Sequence, residues 1–95
     1  MIKAMIVDDE QASIDLLQWL TGQYCPEITS LKTARSVKEA IPIIHSFKPD
    51  IVFLDIQMPK ITGFEMLELI EEPPHVIFTT AFDEYAMQAF EANAV

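Results

Sequence analysis

The stretch IVFLDIQMP, residues 51–59, runs four apolar residues straight into Asp55 and reaches Pro59 four residues later. So short an apolar run, set between Asp50 and Asp55, reads as a strand buried on both faces of a sheet. A carboxylate at the mouth of such a strand is costly unless something compensates its charge. The run therefore raises the question of fold and the question of function together.

Working outward, the chain alternates between two periods. Residues 3–7 (KAMIV) are short, apolar and end at acids, as a buried strand does. From Gln11 on, Ile14, Leu17, Leu20 and Tyr24 recur at helical spacing, and Pro26 bars continuation. Residues 28–33 (ITSLKT) alternate, the mark of an outer strand. Ser36 and Glu39 have capping-box spacing ahead of a helical face of Val37, Ala40, Ile41, Ile44 and Phe47. Pro42 falls inside that helix, where it should delete one backbone bond and kink the turn.

Beyond the central run, Thr62 and Glu65 form a second capping box. They open a helix with Phe64, Leu67 and Ile70 on one side, ended by Pro73 and Pro74. Residues 75–79 (HVIFT) make a fourth strand, and Asp83 caps a last helix carrying Ala86, Ala89 and Phe90. Trp19, Phe64 and Met66 read as packing residues, His45 and His75 as surface or strand-end residues, and Cys25 as a helix-end thiol. Glu10 is assigned to capping the first helix. Four strands alternating with four helices predict an α/β domain with a parallel sheet and helices on both faces. One domain is expected over residues 1–95.

Composition narrows the classes. About half the residues are apolar and 22% are charged, which suits a globular chain. Six basic against 15 acidic residues leave a net charge of −9, unsuited to nucleic-acid binding by this segment or to an anionic membrane surface. The longest strictly apolar runs fall far short of the roughly 20 residues a membrane span needs. A single cysteine allows no internal disulfide, and a reducing, cytoplasmic setting is expected.

In parallel α/β sheets the functional crevice lies at the carboxyl ends of the strands. That rule singles out Asp8, Asp9 and Glu10 after Val7, Asp55 after Leu54, and Thr80 after Thr79. If the first and third strands are neighbours, as in the flavodoxin-like order 2-1-3-4, three carboxylates converge. They cannot all stay ionised at close range unless a cation joins them, and Mg²⁺ prefers one or two carboxylates, a backbone carbonyl, waters and phosphate oxygens. Asp8 and Asp9 can share the metal. Asp55 can offer one oxygen to it and attack a phosphoryl group with the other, giving an aspartyl phosphate. Thr80 can hydrogen-bond a phosphoryl oxygen, and Pro59 bends the chain so that the Gln57 carbonyl faces the metal. The bland alternative is that acids after a strand simply cap the next helix, which Asp9 or Glu10 could do.

MIVDDE, LDIQMP and TTAF, in that order, resemble the receiver domain of two-component response regulators (CheY-like), and the resemblance covers the whole chain. It implies that Asp55 accepts phosphate from a phosphohistidine of a sensor histidine kinase, and that Asp8, Asp9 and the Gln57 carbonyl hold Mg²⁺. Thr80 becomes the switch hydroxyl, and the domain controls an output domain outside this chain without substrate turnover. TTAFDEYAMQAFEANAV is similar in particular to receivers of transcriptional regulators with a LytTR-type DNA-binding domain. Haloacid-dehalogenase-like phosphatases also use an aspartyl phosphate, but want an acid two residues beyond it, where this chain has Gln57. A phosphorylation-independent interaction module is the other alternative. The family pattern also includes a fifth strand, a pocket lysine and a final helix, which are expected to be lacking here; Lys48 and Lys60 are poorly placed to replace that lysine. The fourth strand would then be an open edge, so self-association or swapping as a homodimer is expected of these 95 residues alone.

Overall fold

The computed structural model describes residues 1–56, 62–70 and 73–79. Among these residues four strands form one parallel sheet: β1 (Ile2–Val7), β2 (Ile28–Ala34), β3 (Ile51–Leu54) and β4 (His75–Phe78), in spatial order β2-β1-β3-β4. Three helices connect them: α1 (Gln11–Tyr24), α2 (Val37–Phe47) and α3 (Gly63–Glu68). This is the doubly wound, flavodoxin-like arrangement expected from the alternation of periods. Gln57, Met58, Pro59, Lys60, Thr80, Phe82, the Asp83-capped helix and the side chain of Phe64 lie outside the described residues.

The strand order places the helices. The chain steps from β1 outward to β2, then crosses back to β3 and on to β4 on the other side. With right-handed crossovers, α1 lies on one face and α2 and α3 on the opposite one. Burial agrees. Met5 and Val7 of β1, Val52 and Leu54 of β3 and Val76 of β4 form one core with Val37, Ala40 and Ile44 of α2 and with Met66 and Ile70. The alternate positions Ala4 and Ile6 are also fully buried and share the other side with Ile14 of α1.

Local signals explain the helix starts. At α3 the Thr62 hydroxyl accepts from the Glu65 amide at 3.2 Å while the Glu65 carboxylate accepts from the Thr62 amide at 3.1 Å, a complete capping box. At α2 the reciprocity shifts by one residue. Ser36 Oγ accepts from the Glu39 amide at 3.2 Å, but the Glu39 carboxylate accepts from the Arg35 amide, also at 3.2 Å. The far end of α2 is closed by Lys48 in the left-handed region, φ 51°. Lys3 Nζ donates to the otherwise orphaned Phe47 carbonyl at 2.7 Å. The ammonium groups of Lys3 and Lys32 lie 5.4 and 5.8 Å from the Phe47 ring centroid.

Some expectations are corrected. Trp19 is not a packing residue: it is 57% exposed, and Tyr24, read as part of the apolar face of α1, is 73% exposed. The buried stripe of α1 is Ile14 with Thr21, whose hydroxyl donates to the Leu17 carbonyl at 2.8 Å and so tolerates burial. α3 ends at Glu68, short of the prolines, because its last turn tightens: the Ile70 amide donates to the Leu67 carbonyl. Glu10 is the N-cap residue of α1 but makes no side-chain capping bond.

Pro42 does not divide α2, which continues from Val37 to Phe47. The amide it lacks would have bonded the Lys38 carbonyl, and both residues are exposed, so water can satisfy that oxygen. The substitution Pro42→Ala should restore the bond and raise stability by about 1 kcal/mol or more, up to the ~3 kcal/mol interior cost of proline. Chemical denaturation checks this; an unchanged or lower midpoint would show that α2 is already relaxed around the ring.

Candidate functional site

The register of the sheet brings the ends of all four strands level. Val7 lies opposite both Ala34 of β2 and Leu54 of β3, and Leu54 lies opposite Phe78 of β4. The ladder continues one residue further at each: the Asp8 amide donates to the Ala34 carbonyl at 3.1 Å, the Asp55 amide to Val7 at 2.9 Å, and the Thr79 amide to Leu54 at 3.0 Å. Asp8 and Asp55 are thereby fixed side by side where β1 and β3 end. Side-chain alternation along a strand then does the aiming, since a one-residue slip would turn either carboxylate away.

Asp8, Asp9 and Asp55 each offer a carboxylate oxygen within 4.8 Å of the other two. Mg²⁺ takes oxygen ligands at about 2.1 Å, so the three carboxylates would have to draw closer by side-chain rotation to share one ion. The donor set also fits the ion chemically, being hard oxygen throughout. Asp8 and Asp55 are only 6% and 9% exposed. Of the predicted site residues these three are brought together; Gln57 and Thr80 fall outside the described residues, Thr80 directly following Thr79.

The electrostatics bear the mark of crowded acid. Burial pushes the Asp8 carboxyl above its ordinary 3.8, and the charges of Asp55, Asp9 and Glu10 push it further. The Glu10 amide, donating to Asp8 Oδ1 at 2.9 Å, pulls the other way and only in part offsets them. The rim contains one residue that strand-end reasoning passed over. Arg35, directly after β2, donates from Nη2 to the Asp9 carbonyl at 3.1 Å. The rule applied to Val7, Leu54 and Thr79 would have found it had β2 not been set aside as the outer strand. Lys48 lies at the C-terminal cap of α2, near the amino ends of the strands, as its poor placement in the sequence suggested.

Comparisons with known proteins agree with this geometry. Residues 4–95 match the family described as response regulator receiver domain. An uncharacterized response regulatory protein of Yersinia pestis is 46% identical, and the transcriptional regulatory protein BtsR of Salmonella typhimurium 48% identical, each over 99% of this chain and 40% of its own length. The chain thus spans about two fifths of these curated relatives. Among solved structures, the response regulator domain of Thermotoga maritima CheB is similar at TM-score 0.85 and 28% identity, covering 100% of this chain and 75% of that one. The response regulatory domain of mrkE from Klebsiella pneumoniae gives TM-score 0.85 and 27% identity, covering 98% and 78%.

The raised Asp8 value has a thermodynamic consequence. The unfolded chain releases this proton at the ordinary value, the folded protein only at higher pH. Between the two the folded state binds more protons, so metal-free protein loses stability as pH rises through the folded value and regains it as pH falls. Substitution Asp8→Asn keeps an acceptor for the Glu10 amide and removes the charge. In chelator at neutral pH it should stabilise by about 1 kcal/mol, roughly 4–8 °C in melting temperature. The advantage should shrink towards about pH 4. A variant melting below the parent at neutral pH would contradict this.

Proposed function

The chain belongs to the response-regulator receiver family, and on that premise we propose that Asp55 is its phosphoacceptor, charged by a sensor histidine kinase. Members of this family are phosphoacceptor signalling modules, and receiver domains in general bind Mg²⁺ in an acidic pocket of the kind formed by Asp8, Asp9 and Asp55. One observation carries the reading: three carboxylates from two strand ends converge within 4.8 Å at the carboxyl edge of the sheet.

The chemistry follows from the residues. An Asp55 carboxylate oxygen attacks phosphorus of a phosphohistidine; a P–O bond forms, the P–N bond breaks, and the leaving imidazole nitrogen recovers a proton. The ladder bond from the Asp55 amide to Val7 holds the nucleophile's backbone, so attack needs no rearrangement of the main chain. Asp8, Asp9 and one oxygen of Asp55, with the Gln57 carbonyl, are the proposed ligands of Mg²⁺. The chemistry this ion supplies when bound is neutralisation of the negative charge gathering on the phosphoryl oxygens. The Thr80 hydroxyl donates to one of those oxygens, and its movement is the proposed signal to the output.

BtsR is named a transcriptional regulatory protein, and the matched relatives are well over twice as long as this chain. These facts support an output domain that acts on transcription, proposed to be of the LytTR DNA-binding type, and a cytoplasmic setting in which kinase and DNA are both accessible. No helix among the described residues is long and apolar enough to cross a membrane. Self-association through β4, the outermost strand of the described sheet, is a further proposal.

The test is incubation of the full-length protein with acetyl phosphate and Mg²⁺, followed by mass spectrometry. One added phosphoryl group is expected, labile to hydroxylamine, absent when Mg²⁺ is chelated and absent from the Asp55→Asn variant. Incorporation that survives in that variant would move the acceptor elsewhere.

A further inference from the structure

The acidic pocket is built on two loops of unequal support. Asp55 follows a central strand and is tied into the ladder through Val7. Asp8 is tied through Ala34, and its carboxylate holds the Glu10 amide. Asp9, next in the chain after Asp8, is half-buried on the turn into α1, and its carbonyl accepts from the chain's single arginine at 3.1 Å. That arginine is itself anchored. The Glu39 carboxylate accepts from the Arg35 amide, and Ser36 Oγ accepts from the Glu39 amide. A continuous set of hydrogen bonds thus runs from the first turn of α2, through Arg35, to the main chain of Asp9.

We propose that Arg35 is a positioning residue for the metal pocket: by holding the Asp9 carbonyl it fixes the turn from which Asp8 and Asp9 reach the cation, and so couples the start of α2 to Mg²⁺ affinity. The inference rests on the reading of the Asp8–Asp9–Asp55 pocket as a Mg²⁺ site. Two effects of the guanidinium oppose each other, which makes the sign of a substitution informative. As a fixed positive charge near the ligands, Arg35 repels a divalent cation, and its removal alone would tighten binding, less so at high salt. As a donor it pre-orders the turn, and its removal makes the ion bear the ordering cost. One exposed hydrogen bond is modest, so a change of about three- to tenfold is the expected scale.

The experiment is calorimetric titration of Mg²⁺ into the full-length protein and its variants, with amide hydrogen exchange on the metal-free forms. Arg35→Met, which keeps the aliphatic stem, should bind Mg²⁺ about three- to tenfold more weakly despite losing a repelling charge. In metal-free protein it should speed exchange at Asp9 and Glu10. Arg35→Lys should stay within about twofold of the parent, because an ammonium can still donate to the carbonyl. Glu39→Ala should weaken binding in the same direction and add little on top of Arg35→Met, as members of one network do. Arg35 and Glu39 are exposed, so the fold should tolerate these changes. Binding by Arg35→Met as tight as the parent's or tighter overturns the proposal, as does an Arg35→Lys variant as weak as Arg35→Met. Failure of the parent itself to bind Mg²⁺ would instead overturn the reading of the pocket.

Discussion

Mutual repulsion among Asp8, Asp9 and Asp55 is the constraint around which the molecule is arranged. Hydrophobic burial assembles the sheet, and the register that buries Val7 and Leu54 leaves the next residue of each strand, both of them acids, side by side. Desolvation and like charge then act together on Asp8, whose carboxyl is held above its ordinary value. The packing that stabilises the core therefore creates a local instability at its edge. A divalent cation would relieve it, as a proton does, so burial, pH response and the proposed metal binding are one problem here.

The opposite pole of the sheet is organised with the other sign. Near the amino ends of the strands, Lys3 closes α2 through the Phe47 carbonyl, its amide donates to an Asp50 carboxylate oxygen at 2.9 Å, and Lys3 and Lys32 flank the Phe47 ring. Basic side chains there find carbonyl and aromatic partners, whereas the acids of the carboxyl pole face one another. Of the chain's six basic residues, Arg35 is the one hydrogen-bonded to the acidic turn among the described residues. Its contact is made to the Asp9 backbone carbonyl and not to the Asp9 carboxylate.

Most of the sheet was legible because periodicity and punctuation agreed. The span 11–24 of α1, the start of α2 after Ser36 and the Thr62–Glu65 cap are all written in residue type and spacing. The pairing of β1 with β3 is a long-range fact, inferred from the flavodoxin-like order rather than from any local signal, and the three-acid convergence depended on it. What escaped was tertiary. Helical spacing assigned Trp19 and Tyr24 to a packed face, but α1 covers β1 and β2 with a narrow stripe around Ile14, and neither ring falls on it. Pro42 looked disruptive because sequence does not reveal that Lys38 and Pro42 are both exposed. The Glu39 carboxylate accepts from the Arg35 amide rather than from the Ser36 amide, a one-residue shift that no capping pattern encodes.

The central claim is that residues 8, 9 and 55 form one site for one divalent ion. Paramagnetic Mn²⁺, added in small increments while backbone amide resonances are followed, reports this directly, because line broadening falls steeply with distance from the ion. Saturable broadening should begin at Asp8, Asp9, Asp55 and Ile56, be displaced by Mg²⁺, and be lost when Asp8 and Asp9 are both changed to Asn. Broadening that begins at acids remote from these strand ends, such as Glu27 or Glu68, with residues 8 and 55 unaffected, would contradict the account.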